Sequence, residues 1–329
     1  MRSAGGLFEI VTDPGALHAA MRRAARGKRD RPGVRRFVNS ADVGLPRLRA
    51  ELLAGDYRPL PYSQFQVLDP KPRTISCADF RDRVVHHAVC GALAPVIDRR
   101  LVADNFACRT GKGSHRALHR AMSFARRHTY FLKTDVRRYY DSVDHGVLLA
   151  KLARLVRERR LLALLETIVL HPVPGQAPGK GLPIGNLTSQ WFANLYLDEV
   201  DHWLKEERRV RGYIRYMDDL ALWADSKAFL CALAGDLDAR LRDRLRLELK
   251  REGTFVAPVT EGMPFLGFRV YPRLLRHRAS RLRRRRRLLR AREAAWARGE
   301  ISSDELAASA RAMDGARRFL GFGAPLVRR

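Results

Sequence analysis

Two adjacent carboxylates, Asp218 and Asp219, lie between two β-prone segments, and this feature constrains the fold more than any other. The segments Gly212–Tyr216 and 220–224 are alternating or apolar, which is the pattern of a half-buried hairpin. The pair falls where the turn is expected, so both acids would project from one end of the hairpin without a neighbouring cation. Such a pair is costly unless a cation binds it, and a divalent metal is the natural candidate. Most isolated Asp-Asp pairs are solvated turns, so a metal site needs support from elsewhere in the chain.

A third carboxylate, Asp135, ends the apolar segment 130–136, which has the composition of a buried strand. If this strand and the hairpin are neighbours in one antiparallel sheet, three acids meet at a single edge. Two Mg²⁺ ions bridged by such carboxylates would suit phosphoryl transfer, because that chemistry consists of positioning groups and neutralising charge. Taken alone, Asp135 is equally well explained as a strand-end cap.

The charge of the chain indicates a polyanionic partner. Its 329 residues contain 63 Lys and Arg against 35 Asp and Glu, a formal charge of +28. Nucleic acid is the leading partner class, and an anionic membrane surface is the second.

No apolar run approaches the ~20 residues of a membrane span, and the N-terminus lacks the apolar core of a secretory signal. Four scattered cysteines without a C-x-x-C pair exclude a zinc or disulfide framework, so we expect a cytoplasmic protein with reduced thiols and no membrane partner.

Local patterns predict helices mixed with short strands. Residues 1–60 have a helical and basic pattern, and Asp79 is expected to cap a helix that has Pro95 near its end. The later patterns predict long helices over 146–170, about 188–207 and about 226–246, a strand pair around 254–256 and 265–270, and an Arg-dense helical tail.

Several segments, in the correct order, resemble the reverse transcriptases. Residues 133–144 (KTDVRRYYDSVD) resemble their first catalytic block, residues 216–219 (YMDD) the second, and residues 265–268 (FLGF) the primer grip. Residues 71–75 (KPRTI) and 80–85 (FRDRVV) resemble the fingers motif of bacterial, retron and group II intron enzymes. The resemblance covers roughly residues 57–290.

The resemblance implies an α+β fold, the right-hand polymerase. An N-terminal extension and the fingers would occupy residues 1–129, with 146–187 completing fingers and palm. The palm, with its antiparallel sheet, would span 130–270, and a short basic helical thumb would span 271–329.

The resemblance also implies catalytic and metal-binding residues. Asp135, Asp218 and Asp219 would be catalytic and, with the main-chain carbonyl of Val136, would hold two Mg²⁺ ions, for which Mn²⁺ can substitute. These ions would activate the 3′-hydroxyl of a primer and stabilise the departing pyrophosphate.

A nucleotide site is implied as well, formed by Lys71, Arg73, Arg137, Tyr140, Ile184, Gly185 and Gln190. Tyr140 matches the steric gate, since an aromatic ring under the sugar leaves no room for a 2′-hydroxyl. Lys71 and Arg73 match fingers residues that grip the triphosphate through charge-assisted contacts. The alternative explanations are a core aromatic for Tyr140 and an exposed basic turn for the two cations.

The block at residues 181–190 (GLPIGNLTSQ) discriminates within the family. Most bacterial relatives have a Gln-Gly-x-x-x-Ser-Pro pattern there, whereas this form resembles reverse transcriptases of diversity-generating retroelements. Ile184, Gly185 and Gln190 match positions that line the nascent base pair, where Gly185 would let a base approach the backbone. The resemblance implies cDNA synthesis from a template-repeat RNA for mutagenic retrohoming, with errors at adenines that involve Arg73 and Ile184.

Primer and template contacts are implied for Phe265, Leu266 and Gly267 in the primer grip and for Arg283, Arg284 and Arg285 in the thumb. Thumb arginines would contact phosphates without reading sequence. One position departs from the family pattern: Gly253 precedes Thr254 where relatives usually place a Lys, a candidate general acid. Lys250 and Arg251 are the nearest cations.

Expected partners are an RNA template, a DNA or RNA primer, dNTPs and a small basic accessory protein oligomer. The oligomer would bind through shared RNA or an acidic patch at Glu158, Glu166 or Glu206-Glu207. Two alternatives remain open. One is another bacterial reverse transcriptase, of the group II intron, retron or phage-defence kind, and the other is a non-catalytic RNA-binding scaffold.

Overall fold

The computed structural model describes residues 5–68, 72–277 and 279–311. Lys71 and residues 312–329 of the predicted thumb therefore lie outside the described residues. The helices are α1 (Leu7–Thr12), α2 (Pro14–Ala25), α3 (Pro32–Asn39), α4 (Ala41–Ala54), α5 (Phe80–Arg100), α6 (Ser114–Ala125), α7 (Tyr139–Ser142), α8 (His145–Leu155), α9 (Arg159–Val169), α10 (Leu187–Tyr196), α11 (Asp198–His202), α12 (Lys227–Leu245) and α13 (Ala279–Ala297).

Nine strands of the described chain form three antiparallel sheets. The strands are β1 (Ser63–Val67), β2 (Arg73–Cys77), β3 (Tyr130–Asp135), β4 (Gly212–Tyr216), β5 (Asp219–Ala224), β6 (Phe255–Pro258), β7 (Met263–Phe265), β8 (Phe268–Val270) and β9 (Leu275–His277). Their orders are β1-β2, β4-β5-β3-β6 and β7-β8-β9. The α+β prediction is confirmed.

The four-stranded sheet is buried on both faces, because alternate residues of a strand point to opposite sides. Leu132 and Leu222 face the larger core with α10 and α12, whereas Phe131, Ile214 and Trp223 face a second core with α6 and the β7–β8 hairpin. The sheet is thus held between two apolar layers. This burial favours one register, because a slip of one residue would move every core side chain to the opposite layer, where it would no longer fit its neighbours.

Two predicted elements differ from the structure near the sheet. The strand around 254–256 is β6, which pairs with β3 and not with residues 265–270. Residues 265–270 belong to a separate hairpin over 263–270, closed by a turn at Leu266 and Gly267 with φ angles of 47° and 84°. The β7–β9 sheet continues to His277, beyond the predicted palm boundary at 270.

None of the helices in the described ranges combines the length and apolar character of a membrane span.

Helix boundaries follow local caps where these exist. Asp79 caps α5 as predicted, since its carboxylate accepts a hydrogen bond from Arg81 N at 2.9 Å. The single helix predicted over 146–170 is wrong, because α8 ends at Leu155 and α9 begins at Arg159. The helix predicted over about 188–207 is likewise divided, into α10, α11 and a π-helical turn.

Glu158 lies in the break between α8 and α9, where its backbone is extended. Its carboxylate accepts hydrogen bonds from Leu7 N at 2.7 Å and Phe8 N at 2.8 Å. It therefore satisfies free amides at the start of α1, where a negative charge is favourable. Because this carboxylate is already engaged, Glu158 is less suited to the acidic patch suggested for an accessory protein.

Replacing Glu158 with Ala should lower the free energy of unfolding by about 1–2 kcal/mol, because α1 loses its cap. Chemical denaturation measures the change. The matched control is Glu166→Ala, an exposed glutamate in α9, which should leave stability within about 0.5 kcal/mol. Equal stabilities of the two variants would show that the cap is unimportant.

Candidate active site

The strand register brings Asp135 and Asp219 together. They are partners in the antiparallel β3–β5 pair, and Tyr216 is the partner of Asp219 on the other side. Partner Cα atoms in an antiparallel pair are about 4.5–5.5 Å apart. The register thus places two of the three predicted acids, Asp135 and Asp219, opposite each other at one end of the paired strands.

The turn has a different composition from the one predicted. Only Met217 and Asp218 form it, and Asp219 is the first residue of β5. Met217 has φ 58°, which a two-residue hairpin turn of type II′ requires at its first position. Val136 N donates to Asp218 O at 3.2 Å, so the end of β3 holds the turn.

The sequence-based statement that the acids have no cationic neighbour is wrong. Lys133 Nζ forms an ion pair with Asp219 Oδ1 and also donates to Thr134 O at 3.1 Å. The signal for this contact was present in the sequence, because Lys133 lies two residues before Asp135 and therefore on the same face of the strand. An internal ammonium group offsets part of the repulsion among the acids.

The negative charge that remains on these acids is energetically unfavourable because the carboxylates are largely buried. Burial, with the neighbouring Asp135 carboxylate, raises the pKa of Asp218 to about 7. Burial raises the pKa of Asp219 to about 6, although Lys133 acts in the opposite direction. Asp135 Oδ1 is buried without a hydrogen-bond partner among the described residues.

This donor set fits a hard divalent cation, which takes oxygen ligands. A cation would offset the like charges and give the orphan oxygen of Asp135 a partner. As described, however, residues 5–68, 72–277 and 279–311 contain no group of three or more Asp, Glu, His or Cys arranged to hold a metal. The ammonium group of Lys133 occupies one oxygen of Asp219 in this arrangement.

The predicted nucleotide pocket lies beside the acids. Tyr140 is half-buried, and its pKa is raised by burial and then by the nearby Cys108 and Asp218. Arg73 opposes this rise, which places its charge near the ring. Gln190 Oε1 accepts a hydrogen bond from Cys108 Sγ at 3.4 Å. Sequence reasoning missed Cys108, which no motif marked.

The block at 181–190 packs against the β1–β2 hairpin. Ser76 N donates to Ile184 O at 2.9 Å. Gly185 has φ 119°, and a Cβ there would lie 2.8 Å from Ile75 Cγ2. In this structure the close neighbour that requires a glycine is β2, whereas approach of a base stays a prediction.

Arg137 is exposed and turned toward an acid, since its Nη1 lies 3.3 Å from Glu248 Oε2. Within the predicted primer grip, the Phe265 side chain is buried in the second core, and only Leu266 and Gly267 are partly open. The remaining predicted contacts, Arg283, Arg284 and Arg285, lie on α13.

Lys250 lies over the position where relatives usually have a Lys. Its main-chain N–H donates to Asp135 O at 2.8 Å. A Cβ added to Gly253 would lie 3.6 Å from Lys250 Cδ, so the stem of Lys250 covers the glycine. Arg251 is exposed. Of Lys250 and Arg251, Lys250 is therefore the residue that lies beside both Asp135 and Gly253.

A family model described as reverse transcriptase (RNA-dependent DNA polymerase) matches residues 68–270. The chain belongs to the reverse transcriptase family. It is thus an RNA-directed DNA polymerase, a nucleotidyltransferase, and enzymes of this family act on an RNA template and a primer with dNTPs.

Protein YkfC of Escherichia coli K12 is 26% identical to this reverse transcriptase over an alignment of 314 positions, and the match covers 80% of this chain and 82% of YkfC. Nuclear intron maturase 1 of Arabidopsis thaliana is 31% identical over 88 residues, 27% of this chain and 12% of the maturase.

Telomerase of Candida albicans, solved with a fragment of telomeric RNA, has a TM-score of 0.51 at 12% identity. The match covers 67% of this chain and 47% of the telomerase, so the reverse transcriptase spans about half of that protein's length. The similarity shows a shared right-hand polymerase fold.

The raised pKa of Asp218 predicts that the metal-free protein loses stability as pH rises from about 4 to about 7. In this window the native state holds a proton that the unfolded state, with the ordinary pKa of 3.8, has released, so rising pH favours unfolding. Thermal denaturation in EDTA measures the slope, which Mg²⁺ should reduce. Asp218→Asn should flatten it, whereas the exposed control Asp243→Asn should not; equal slopes in all three proteins would contradict the assignment.

Proposed function

We propose that this reverse transcriptase polymerises dNTPs on an RNA template with two Mg²⁺ ions held by Asp135, Asp218, Asp219 and the Val136 carbonyl. The observation that carries the proposal is the β3–β5 register, which pairs Asp135 with Asp219 at the edge next to the turn. The raised pKa values and the partnerless Asp135 oxygen support it, because both effects are relieved by a cation.

When bound, the ions would activate the primer 3′-hydroxyl and stabilise the departing pyrophosphate. The chain itself supplies the surroundings of the reaction. Tyr140 would lie under the sugar and exclude a 2′-hydroxyl, and Arg73 would bind phosphate oxygens from the fingers. Lys133 forms an ion pair with Asp219 and offsets part of its negative charge.

Primer extension on an RNA template with Mg²⁺ tests this proposal. Asp218→Asn should lower the incorporation rate by at least ~100-fold, since a group that stabilises transition-state charge is lost. Binding of primer–template, followed by fluorescence anisotropy, should be unchanged. Asp243→Asn, an exposed carboxylate of α12, is the control and should retain full activity. RNA binding without any incorporation by the unaltered protein would favour the scaffold alternative.

Within the family, we propose the diversity-generating type, with errors concentrated at template adenines. The sequence of the 181–190 block supports this type. The hydrogen bond between Ser76 and Ile184 joins the block to β2, which begins at Arg73, so the two residues implicated in adenine fidelity lie on directly connected segments. A small basic accessory oligomer would share the RNA.

A group II intron-like function is the second candidate, since one relative is named an intron maturase. The two candidates differ in their copying errors. Sequencing of cDNA made on two RNA templates that differ only in adenine content separates them. The diversity-generating type predicts that misincorporation rises with adenine content. An error rate that is equal opposite all four bases would remove the mutagenic proposal and leave the polymerase proposal intact.

A further inference from the structure

A second buried cation, Arg215 of β4, lies beneath the catalytic turn. Its side chain and that of Asp201 in α11 both have 0% exposure. Arg215 Nε and Nη2 donate to the two carboxylate oxygens of Asp201, each at 2.7 Å. Bidentate pairs of this kind are strong and directional. Burying two charges is nonetheless expensive, so the position of this pair beside the turn requires an explanation.

The other N–H groups of Arg215 reach α10 and the turn. Nη2 donates to Asn194 O at 3.0 Å, and Nη1 donates to Asn194 Oδ1 at 3.2 Å and to Met217 O at 3.1 Å. All five guanidinium N–H groups therefore have an acceptor. A lysine could not serve all of these acceptors, because its three donors radiate from one point.

Met217 is the residue whose conformation needs such support. Its φ of 58° is unfavourable for a residue with a side chain. Backbone conformations of this kind persist where their surroundings fix them. Arg215 holds the carbonyl of Met217 from β4, and Val136 N holds the next carbonyl, that of Asp218, from the end of β3.

The same arginine is connected to the nucleotide pocket. Asn194 Nδ2 donates to Ala107 O at 2.8 Å. One helical turn earlier in α10, Gln190 accepts the hydrogen bond from Cys108. Movement of Arg215 would therefore disturb both the turn that bears Asp218 and the segment that borders the predicted nucleotide pocket.

We propose that Arg215 is a positioning residue for polymerisation. By holding the Met217 carbonyl and, through Asn194, the wall of the pocket, it sets Asp218 and Asp219 relative to the nucleotide. The inference rests on the proposed function and extends it to a residue that does not touch substrate.

Arg215→Lys tests the inference, because it keeps a cation opposite Asp201 and gives up the contact with Met217. We expect kcat to fall ~10–100-fold, as a displacement of about 1 Å at a reacting group does. Primer–template affinity and a cooperative thermal transition should remain, and amide hydrogen exchange at residues 216–219 should become faster. The control is Lys151→Met, which removes another buried cation but leaves Asp198 paired with Arg100; it should change neither kcat nor exchange at the turn.

The double variant Arg215→Met/Asp201→Leu provides a second arm, since it removes both charges and leaves no unpaired one. It decides the question if the single variant does not fold, and it should show the same loss of kcat and the same faster exchange. A folded variant with unchanged kcat and unchanged exchange would overturn the inference. If the unaltered protein incorporates no dNTP, the proposed function fails. The role of Arg215 in holding the turn is then tested by amide hydrogen exchange at residues 216–219 alone.

Discussion

The antiparallel pairing of β3 with β5 is the constraint on which the rest of the structure depends. It brings Asp135 directly opposite Asp219, although the two are far apart in the chain. Burial raises the free energy of the ionised state of these acids, and the neighbouring like charge of Asp135 adds to the effect. The pKa values of Asp218 and Asp219 are accordingly raised, to about 7 and about 6. A site of this kind can exist only where the surrounding fold holds the strands in register.

The two apolar layers around the sheet supply that stability. Phe131 and Trp223 are partners on β3 and β5, and both side chains are buried in the second core. Leu132 and Leu222, one position along, are partners that face the larger core. Because a shift of one residue would exchange these faces, the core stabilises the same alignment that brings the carboxylates together. Local strain at a functional site is thus offset by ordinary packing a few residues away.

Features that depend on neighbouring residues could be predicted from the sequence, and features that depend on distant contacts could not. The hairpin around Asp218 and the cap at Asp79 belong to the first kind, since turn and cap preferences are local. The break before α9 belongs to the second, because Glu158 caps a helix about 150 residues earlier in the chain. The β6 pairing was missed for the same reason. Its four residues, FVAP, are all apolar and carry no local sign of a partner, and only the three-dimensional structure shows that β3 is the partner.

The two internal cations of the site have different chemical consequences. Lys133 pairs with a carboxylate that is itself a proposed metal ligand, and the Asp219 side chain retains 26% exposure. A compact ammonium group on a flexible stem can leave such a partner when a divalent ion competes for it. Arg215 instead forms a planar, fully buried pair with Asp201, a carboxylate outside the proposed metal site. Lys133 is therefore suited to give way to a metal ion at Asp219, whereas Arg215 is suited to a permanent place in the scaffold.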